Sequence, residues 1–280
     1  MKAKKFVLAL AVILVIMSVV TASALERKVG HLAKLNMTPE EFKAFSNNGI
    51  ANGRIAVFLA SEISEQHEIV HLFYDSFLSL QMALNAGEVD EVALPEAVAD
   101  YVLNMNDGYK VASIVRTYPS TLSFGFRKDD DPAMLNRFNE ALLAMKADGT
   151  LAILREKYIN DAGFSEPEPV EFRDFENIDT KIKVAVTGDL PPIDFVSPEG
   201  KPAGFNTAVL AEIAKRLHVN IEIVNIDSGA RAAALASKRV DAVFWFQFRK
   251  NAETQPDIPE GVALSEPYYT WNEILNIAKK

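Results

Sequence analysis

The sequence predicts a mixed α/β protein built from two similar halves. Short apolar segments typical of buried strands alternate with segments of helical periodicity, which favours a largely parallel sheet covered by helices. One acidic, proline-containing stretch, 161–180, interrupts this alternation. The segments LNAGEVDEVAL (84–94) and LASKRVDAVFW (235–245) also echo one another, each with a helix end, a turn, Val-Asp and an apolar strand. Such an echo indicates two related halves rather than a solenoid, which stacks three or more units.

Composition and charge place the chain among globular proteins. Its 280 residues are 49% hydrophobic and 24% charged, which is ordinary for a folded protein. The sequence contains no cysteine, so disulfides, thiolate metal sites, thiol nucleophiles and a cysteine-linked lipid anchor are excluded. Acidic residues outnumber basic ones by 38 to 29. An excess of this kind argues against nucleic acid and anionic lipid as partners.

Residues 1–24 are predicted to be a secretory signal peptide. A lysine-rich start precedes an apolar run over 6–20, and Ala22-Ser23-Ala24 provides a site for cleavage after Ala24. A membrane anchor is the alternative, but the run is near the lower length limit for crossing a bilayer. Cleavage would take three lysines from the 29 basic residues, leaving 26 against 38 acidic ones and a formal charge of −12. An exported chain without cysteine fits the bacterial periplasm best.

The elements of residues 25–120 predict a first α/β domain. It begins with a strand over 28–32, and a helix starts at Thr38, which can cap it, with Pro39 suited to the first helical position. Strands and helices then alternate, and the last element before the next strand is a helix. The predicted elements are strand 67–74, helix 76–85, strand 89–94 and helix 96–104.

Residues 121–160 are predicted to close this part of the fold, and 161–180 to link it to the next. The linker contains Glu-Pro-Glu-Pro and no helical apolar stripe, so we expect it to be extended. A second α/β domain follows over 181–280. The predicted elements are strand 121–128, helices 132–147 and 150–160, strand 183–187, helix 207–217, strand 221–224, helix 231–237 and strand 240–246.

Several short motifs carry a resemblance to a known family. GDLPPIDFVSPEGKPAGFN (188–206) combines a double-proline hairpin with Gly-Phe-Asn at a helix start, and LSEPYY (264–269) follows later. In these motifs the chain resembles the type II periplasmic solute-binding proteins of family 3, which serve ABC transporters for amino acids and related polar solutes. The resemblance implies a two-lobed α/β fold with the ligand cleft between its lobes.

The family's later elements come first in this chain. Residues 74–103 resemble the core of its second lobe, and 123–159 resemble its return strand and closing helices. The resemblance therefore implies a circular permutation, with the chain's ends at one hinge crossing, which would explain why it can stop at Lys280. Two unrelated α/β halves and a fragment of a tandem pair are the alternatives. The implied order is second lobe 25–120, hinge crossing and closing helices 121–160, linker 161–180 and first lobe 181–280.

The permutation has two consequences for the hinge and for assembly. One of the two strands that cross between the lobes would be interrupted by the ends of the chain. We therefore expect a looser hinge unless residues 273–277 pair alongside 121–126. A domain-swapped dimer uses the same sequence as a closed monomer, so both states are compatible with it.

The residues with which the family binds α-amino acids are largely replaced. Its Thr-x-x-Arg, whose guanidinium grips the solute's carboxylate, falls on Lys250 and Glu253. Its ammonium-binding aspartate falls on Pro95, and its stacking aromatic falls on Leu190. The resemblance therefore implies a binding site but not the usual amino-acid site.

Other polar and aromatic residues form the predicted site. Arg231 matches an arginine found in acidic-amino-acid readers of the family, and Arg249 is a shifted replacement for the lost one. Glu96 is a predicted ammonium partner. Each has a structural alternative: Arg231 as a surface charge, Trp245 as core, and Glu96 and Thr38 as ordinary helix-start residues. The predicted ligand-binding residues are Arg231, Asp189, Leu190, Trp245, Gln247, Arg249, Glu96, Asn36 and Thr38.

The expected function is capture of a small polar solute by lobe closure and delivery to an inner-membrane ABC permease, by a monomer or a domain-swapped dimer. We predict no catalytic residue, metal or cofactor; His67 and His71 lie too far apart along a strand to share a metal. A sensor or scaffold with a degenerate cleft is one alternative. Another is a dehydratase-like enzyme on the same fold, for which Glu96 and Asp189 are the available carboxylates.

Overall fold

The computed structural model describes residues 26–32, 69–161, 165–176, 178, 181–250 and 257–280. The predicted signal peptide, Asn36, Thr38 and His67 lie outside them. Within these ranges nine strands form one sheet, in the order β2-β1-β3-β11-β4-β9-β5-β8 with β10 paired to β4. The strands are β1 (Arg27–Leu32), β2 (Ile69–Tyr74), β3 (Glu91–Pro95), β4 (Tyr109–Arg127), β5 (Lys181–Val186), β6 (Phe195–Val196), β7 (Pro202–Ala203), β8 (Asn220–Asn225), β9 (Ala242–Arg249), β10 (Val262–Leu264) and β11 (Tyr269–Lys279), of which β6 and β7 pair separately.

Helices connect the strands and begin and end where the local sequence directs them. The side chain of Ser76 caps the first helix by accepting from the Ser79 N–H, and Gly87 ends it in the left-handed conformation. A short π-helical turn, Glu156–Asn160, extends one of the later helices. The helices are α1 (Phe77–Ala86), α2 (Glu96–Met105), α3 (Ala133–Ala147), α4 (Thr150–Arg155), α5 (Gly204–Leu217) and α6 (Arg231–Ala236).

The sheet has the same strand order on its two sides. Strands β2, β1 and β3 are parallel, with β1 in the middle, and we name them the β1 half. Strands β8, β5 and β9 are also parallel, with β5 in the middle, and we name them the β5 half. The repeated order confirms the mixed α/β class, and it fits the two-lobed type II fold that the resemblance implies.

Two antiparallel strands, β4 and β11, join the halves. The β11 strand pairs with β3 on one side and with β4 on the other. The β4 strand in turn pairs with β9. Residues Glu273–Ile277 pair with Arg116 to Val111 rather than with 121–126, so the expectation of a looser hinge stays a prediction. The register differs because β4 begins at Tyr109, well before the predicted start at 121. This first part of β4 is an edge strand with side chains in solvent (Ile114 is 57% exposed), so it lacks the apolar run of a central strand.

The segment between the closing helices and β5 is anchored rather than loose. Asn220 accepts from the Phe175 N–H at 2.8 Å and donates from Nδ2 to the Phe175 carbonyl at 3.1 Å. The Phe175 ring is buried and lies 4.1 Å from the His218 ring. The described part of 161–180 is extended without a helix, and these contacts hold it against the β5 half.

The larger of two hydrophobic clusters in the described residues runs through both halves. It includes Leu94 and Val98 from the β1 half and Val184 and Phe244 from the β5 half. Helices α3 and α4 and the π-helical turn pack on α5. Among the described helices, none is long and apolar enough to span a membrane.

Candidate functional site at the strand ends and in an adjoining cavity

The carboxyl ends of β5, β8 and β9 meet at one edge of the sheet. The strands are parallel, and Val184 and Ala185 of β5 pair with Ala242 and Val243 of β9. Two residues further on, Thr187 and Trp245 therefore lie level. Open α/β sheets bind ligands outside this edge, so the residues that follow the three strands are the first place to look for a site.

The double-proline hairpin is fastened to the start of α5 at this edge. The backbone N–H groups of Phe205 and Asn206 donate to the carbonyls of Pro192 and Ile193, at 3.0 and 2.8 Å. Gly204 has φ +83, and a Cβ atom there would lie 2.3 Å from the Pro192 carbonyl oxygen. Only glycine allows this close approach, which explains the Gly-Phe-Asn motif.

Asp194 is a fully buried carboxylate inside the hairpin. Its Oδ2 accepts from the Thr187 N–H at 3.2 Å, the Thr187 hydroxyl at 2.8 Å and Trp245 Nε1 at 2.8 Å. Burial raises the pKa of Asp194, and these hydrogen bonds oppose the rise. The carboxylate thus fixes the Trp245 indole against the loop that follows β5.

Arg231 and Asp257 form a buried ion pair at the same edge. Arg231 Nη2 lies 2.5 Å from Asp257 Oδ1 and Nη1 lies 3.3 Å from Oδ2, while the side chains are only 4% and 7% exposed. The guanidinium carbon stands 4.0 Å from the Trp245 ring centre, and Nη1 also donates to the Trp245 carbonyl. The Gln247 N–H donates to Asp257 Oδ2 at 2.7 Å. Burial raises the pKa of Asp257, and the Arg231 charge counteracts this.

The other predicted residues of the β5 half lie around this pair. Gln247 donates from Nε2 to the Ser120 hydroxyl at 3.0 Å and so ties β9 to β4. Arg249 is half-buried, and its charge lowers the pKa of Asp257. Asp189 is half-buried in the loop after β5, and Leu190 is buried. Their roles in ligand binding stay predictions.

Glu96 lies elsewhere, at a cavity of about 270 Å³ between α2 and the closing helices. Glu96 and Asp100 stand one turn apart on α2, with Tyr101 beside them, and Arg155 lies on the other wall. The cavity is therefore bounded by a helix of the β1 half and by helices that pack on α5. Tyr269, at the beginning of β11, completes the lining.

The charged groups of this cavity face one another without pairing. Within the described ranges, Glu96 and Asp100 form no ion pair, and Arg155 lies over the Tyr269 ring at 5.3 Å. Burial raises the pKa of Tyr269 to about 12; the Arg155 charge lowers it, whereas Glu96 and Asp100 raise it. Burial also raises the pKa of Asp100. The cavity thus offers two carboxylates, two aromatic rings and one guanidinium to a small polar molecule.

The structure brings several predicted residues together and separates others. Arg231, Trp245 and Gln247 meet at the strand ends, whereas Glu96 belongs to the cavity. Sequence reasoning missed Asp194 and Asp257. The position of Asp194 directly after the Pro-Pro-Ile turn was an available signal, while no local pattern marks Asp257.

Sequence comparisons agree with the β5 half. Residues 182–280 match the model of the bacterial extracellular solute-binding proteins, family 3. The chain is 32% identical over 100 residues to the ABC transporter arginine-binding protein 1 of Escherichia coli (strain K12). The match covers 34% of this chain and 41% of that protein. The chain thus spans less than half the length of the curated relative that it matches.

Similar solved structures are distant in sequence. One is the ligand-binding component of an ABC-type import system from Staphylococcus aureus, with zinc bound, which is 11% identical in sequence. The superposition has a TM-score of 0.43 and covers 91% of this chain and 66% of that one. The alkanesulfonate-binding protein SsuA from Xanthomonas axonopodis pv. citri, bound to MOPS, is 9% identical, with a TM-score of 0.44 and coverage of 93% and 67%.

The fold is that of a mixed α/β protein with polar groups gathered at the ends of its strands. The match of residues 182–280 to the bacterial extracellular solute-binding proteins, family 3, confirms the resemblance that the Pro-Pro hairpin and the Gly-Phe-Asn motif carry.

Proposed function

We propose that the protein is a periplasmic solute-binding protein of an ABC transporter that captures a small polar solute between two lobes. The observation that carries the proposal is the sheet order of the described residues, in which two parallel sets lie on either side of β4 and β11. Two strands that run between two sets can act as a hinge for closure. The family match to 182–280 and the name of the E. coli relative support an amino acid or a related solute.

A circular permutation is part of the same proposal. Ala278 of β11 pairs with Glu91 from one side of β3, and Val29 of β1 pairs with Glu91 from the other. Neighbouring strands lie about 4.8 Å apart, so the end of β11 and the start of β1 are separated by about 10 Å. A link of about three or four residues could join them, as the family's order requires. The lobes would be 25–120 and 181–280.

The periplasmic location rests on two observations. The matched family is described as extracellular, and residues 1–24 have the pattern of a signal peptide. Delivery to an inner-membrane permease follows from the same family. Light scattering of the purified protein would distinguish a monomer from a domain-swapped dimer.

Thermal unfolding of residues 25–280 in the presence of a compound library tests solute binding. The library should contain amino acids, small carboxylates, polyamines and nucleosides. A solute at a hundred times its Kd stabilises the folded state by about 2.7 kcal/mol, which is a clear shift in Tm. Calorimetric titration of a hit should show saturable binding without turnover. Product formation would instead favour the dehydratase-like enzyme. If no compound shifts the Tm of a cooperatively folded protein, the sensor or scaffold is favoured.

A rearranged gene tests the permutation. Residues 161–280 would come first, followed by a four-residue Gly-Ser link and residues 26–160. We expect the far-ultraviolet circular dichroism of the parent and a Tm within a few degrees of it. A control that places the ends inside β4, after Leu122, should not fold because it cuts a strand shared by both halves. Equal failure of both chains would contradict the permutation.

A further inference from the structure

We propose that Asp257 is the chain's own substitute for a solute's carboxylate and excludes carboxylates from the subsite formed by Arg231 and the Gln247 N–H. The inference rests on the proposed function, because it names the class of solute that the site would accept. It predicts a specificity opposite to that of an α-carboxylate reader: the native site takes cationic or neutral polar solutes, and removal of Asp257 admits carboxylates.

Arg231 and the Gln247 N–H form a set of hydrogen-bond donors around Asp257. Two guanidinium nitrogens of Arg231 face the two oxygens of Asp257, and the Gln247 N–H completes the set. A guanidinium fork with a backbone N–H is how proteins hold a free carboxylate. Arg249 adds a second positive charge nearby. The groups around Asp257 are therefore those that would hold a solute's carboxylate.

The Arg231–Asp257 pair lies at the carboxyl ends of the strands of the β5 half. Arg231 follows β8 through Ser228, whose carbonyl accepts from Arg231 Nε at 3.1 Å. Gln247 lies near the end of β9, and Asp189 lies in the loop after β5. The subsite is thus at the carboxyl edge of the β5 half, where ligands of open α/β sheets bind.

The carboxylate that faces Arg231 comes from a turn and not from a regular element. Asp257 belongs to neither a helix nor a strand but to the turn before β10. A buried ion pair gives little net stability compared with apolar residues of similar volume, since both charges lose their hydration. Stability alone is therefore a weak reason for a connecting segment to place a carboxylate on Arg231, whereas occupation of an anion subsite explains it.

Other charged side chains lie near the Arg231–Asp257 pair and at the cavity on α2. With Arg231 neutralised by Asp257, the half-buried charges nearby are those of Asp189 and Arg249, which are opposite in sign. The cavity on α2 adds Glu96 and Asp100. A solute that approaches the cavity meets two carboxylates and aromatic rings, which favour an ammonium or another cationic group.

The test compares four proteins: wild type, Asp257→Ala, Asp257→Asn and the double variant Arg231→Met with Asp257→Ala. Each is titrated with sodium acetate, sodium succinate and glycine against sodium chloride of equal ionic strength, and binding is measured by Tm and calorimetry. We expect Asp257→Ala to bind all three carboxylates at least tenfold more tightly than wild type. The double variant should bind none, because it lacks the guanidinium.

Two results would overturn the inference. If Asp257→Ala gains no carboxylate binding, Asp257 does not occupy an anion subsite. If it accepts acetate but neither succinate nor glycine, the pair is closed to solute and serves only to hold the chain together. Should Asp257→Ala fail to fold alone, its folding is measured in sodium acetate against sodium chloride of equal ionic strength, and the absence of rescue by acetate also refutes the inference. Asp257→Asn fills the same volume as aspartate and should show no gain in carboxylate binding.

A second arm uses amines matched to amino acids on the wild-type protein. Agmatine is compared with arginine, and cadaverine with lysine; the members of each pair differ only in the carboxylate. We expect the amine to bind at least tenfold more tightly, and a preference for the amino acid would contradict the inference. If neither binds, the proposed function is in doubt, while the acetate titration of Asp257→Ala still decides the role of Asp257.

Discussion

The two places where polar groups gather hold their charges in opposite ways. At the edge of the β5 half, Arg231 and Asp257 are buried and paired on an aromatic ring. At the cavity on α2, Glu96 and Asp100 are exposed and form no ion pair within the described residues. A buried charge must have a partner because its desolvation is costly. An exposed charge keeps its hydration and therefore needs no partner within the protein. The same residue types are thus neutralised by pairing in one place and remain exposed to solvent in the other.

The β1 half shows a third solution, a buried pair without charge. His31 Nε2 lies 2.8 Å from His71 Nδ1 on the neighbouring strand. Burial and the neighbouring His71 lower the pKa of His31 to about 3, and burial lowers that of His71 to about 4. Both rings are therefore neutral at neutral pH. The Arg231–Asp257 pair joins opposite charges, whereas this pair joins two neutral rings.

Removal of the Arg231 charge should have the largest effect on stability. Arg231→Met leaves Asp257 buried without its cation, and we expect a loss of about 3–5 kcal/mol of unfolding free energy. The double variant Arg231→Met with Asp257→Asn should recover a large part of it, since no charge is then left unpaired. Urea unfolding of the four members of this cycle measures both quantities. A single variant within about 1 kcal/mol of wild type would show that the pair is not buried as described.

Acidification should reveal the neutral pair. The pKa of His31 is lowered from 6.5 to about 3, so the folded state binds fewer protons than the unfolded state below pH 6.5. The corresponding stability is complete above pH 6.5 and is lost as the pH falls toward 3. At pH 5 the loss from His31 alone is about 2 kcal/mol.

The matched variant His31→Gln isolates this contribution from that of the carboxylates. Unfolding free energies are measured at pH 7, 6 and 5 for both proteins. Asp194 and Asp257, whose pKa values are raised by burial, contribute equally to the two series. The variant should show the flatter decline, and equal slopes would contradict a neutral buried histidine.

Neutralising the cavity should affect stability least. Glu96→Gln and Asp100→Asn remove exposed charges that have no ion-pair partner within the described ranges, so we expect changes within about 0.5 kcal/mol. Their effect should appear instead in the affinity for a cationic solute. Agmatine titration of the two variants measures it, with Glu88→Gln on the same half as the control. Large destabilisation without a change in affinity would make the cavity structural.

Local patterns predicted most elements well, and the exceptions have a common cause. The helix predicted over 76–85 is α1, Phe77–Ala86, because Ser76 and Gly87 define its ends within the chain itself. The first part of β4 was missed because an edge strand in solvent lacks an apolar run. A strand of this kind is held by its partner β11, which lies more than a hundred residues away.

The candidate site divides along the same line. The Pro-Pro hairpin and the Gly-Phe-Asn helix start are local, so their meeting at the strand ends follows from the sequence. The pairing of Arg231 with Asp257, and of Trp245 with Asp194, is made by residues that are 26 and 51 positions apart. No periodicity selects such partners.

The sequence by itself determined the alternation of strands and helices, the absence of thiol chemistry and the family motifs of the β5 half. It determined these because they depend on side-chain type and on spacing within a few residues. Only the tertiary structure decided which strands cross between the halves, that Arg231 already holds a carboxylate, and that Glu96 faces a cavity. These depend on burial, which forces each charge either to find a partner or to stay in water, and burial is a property of the folded chain.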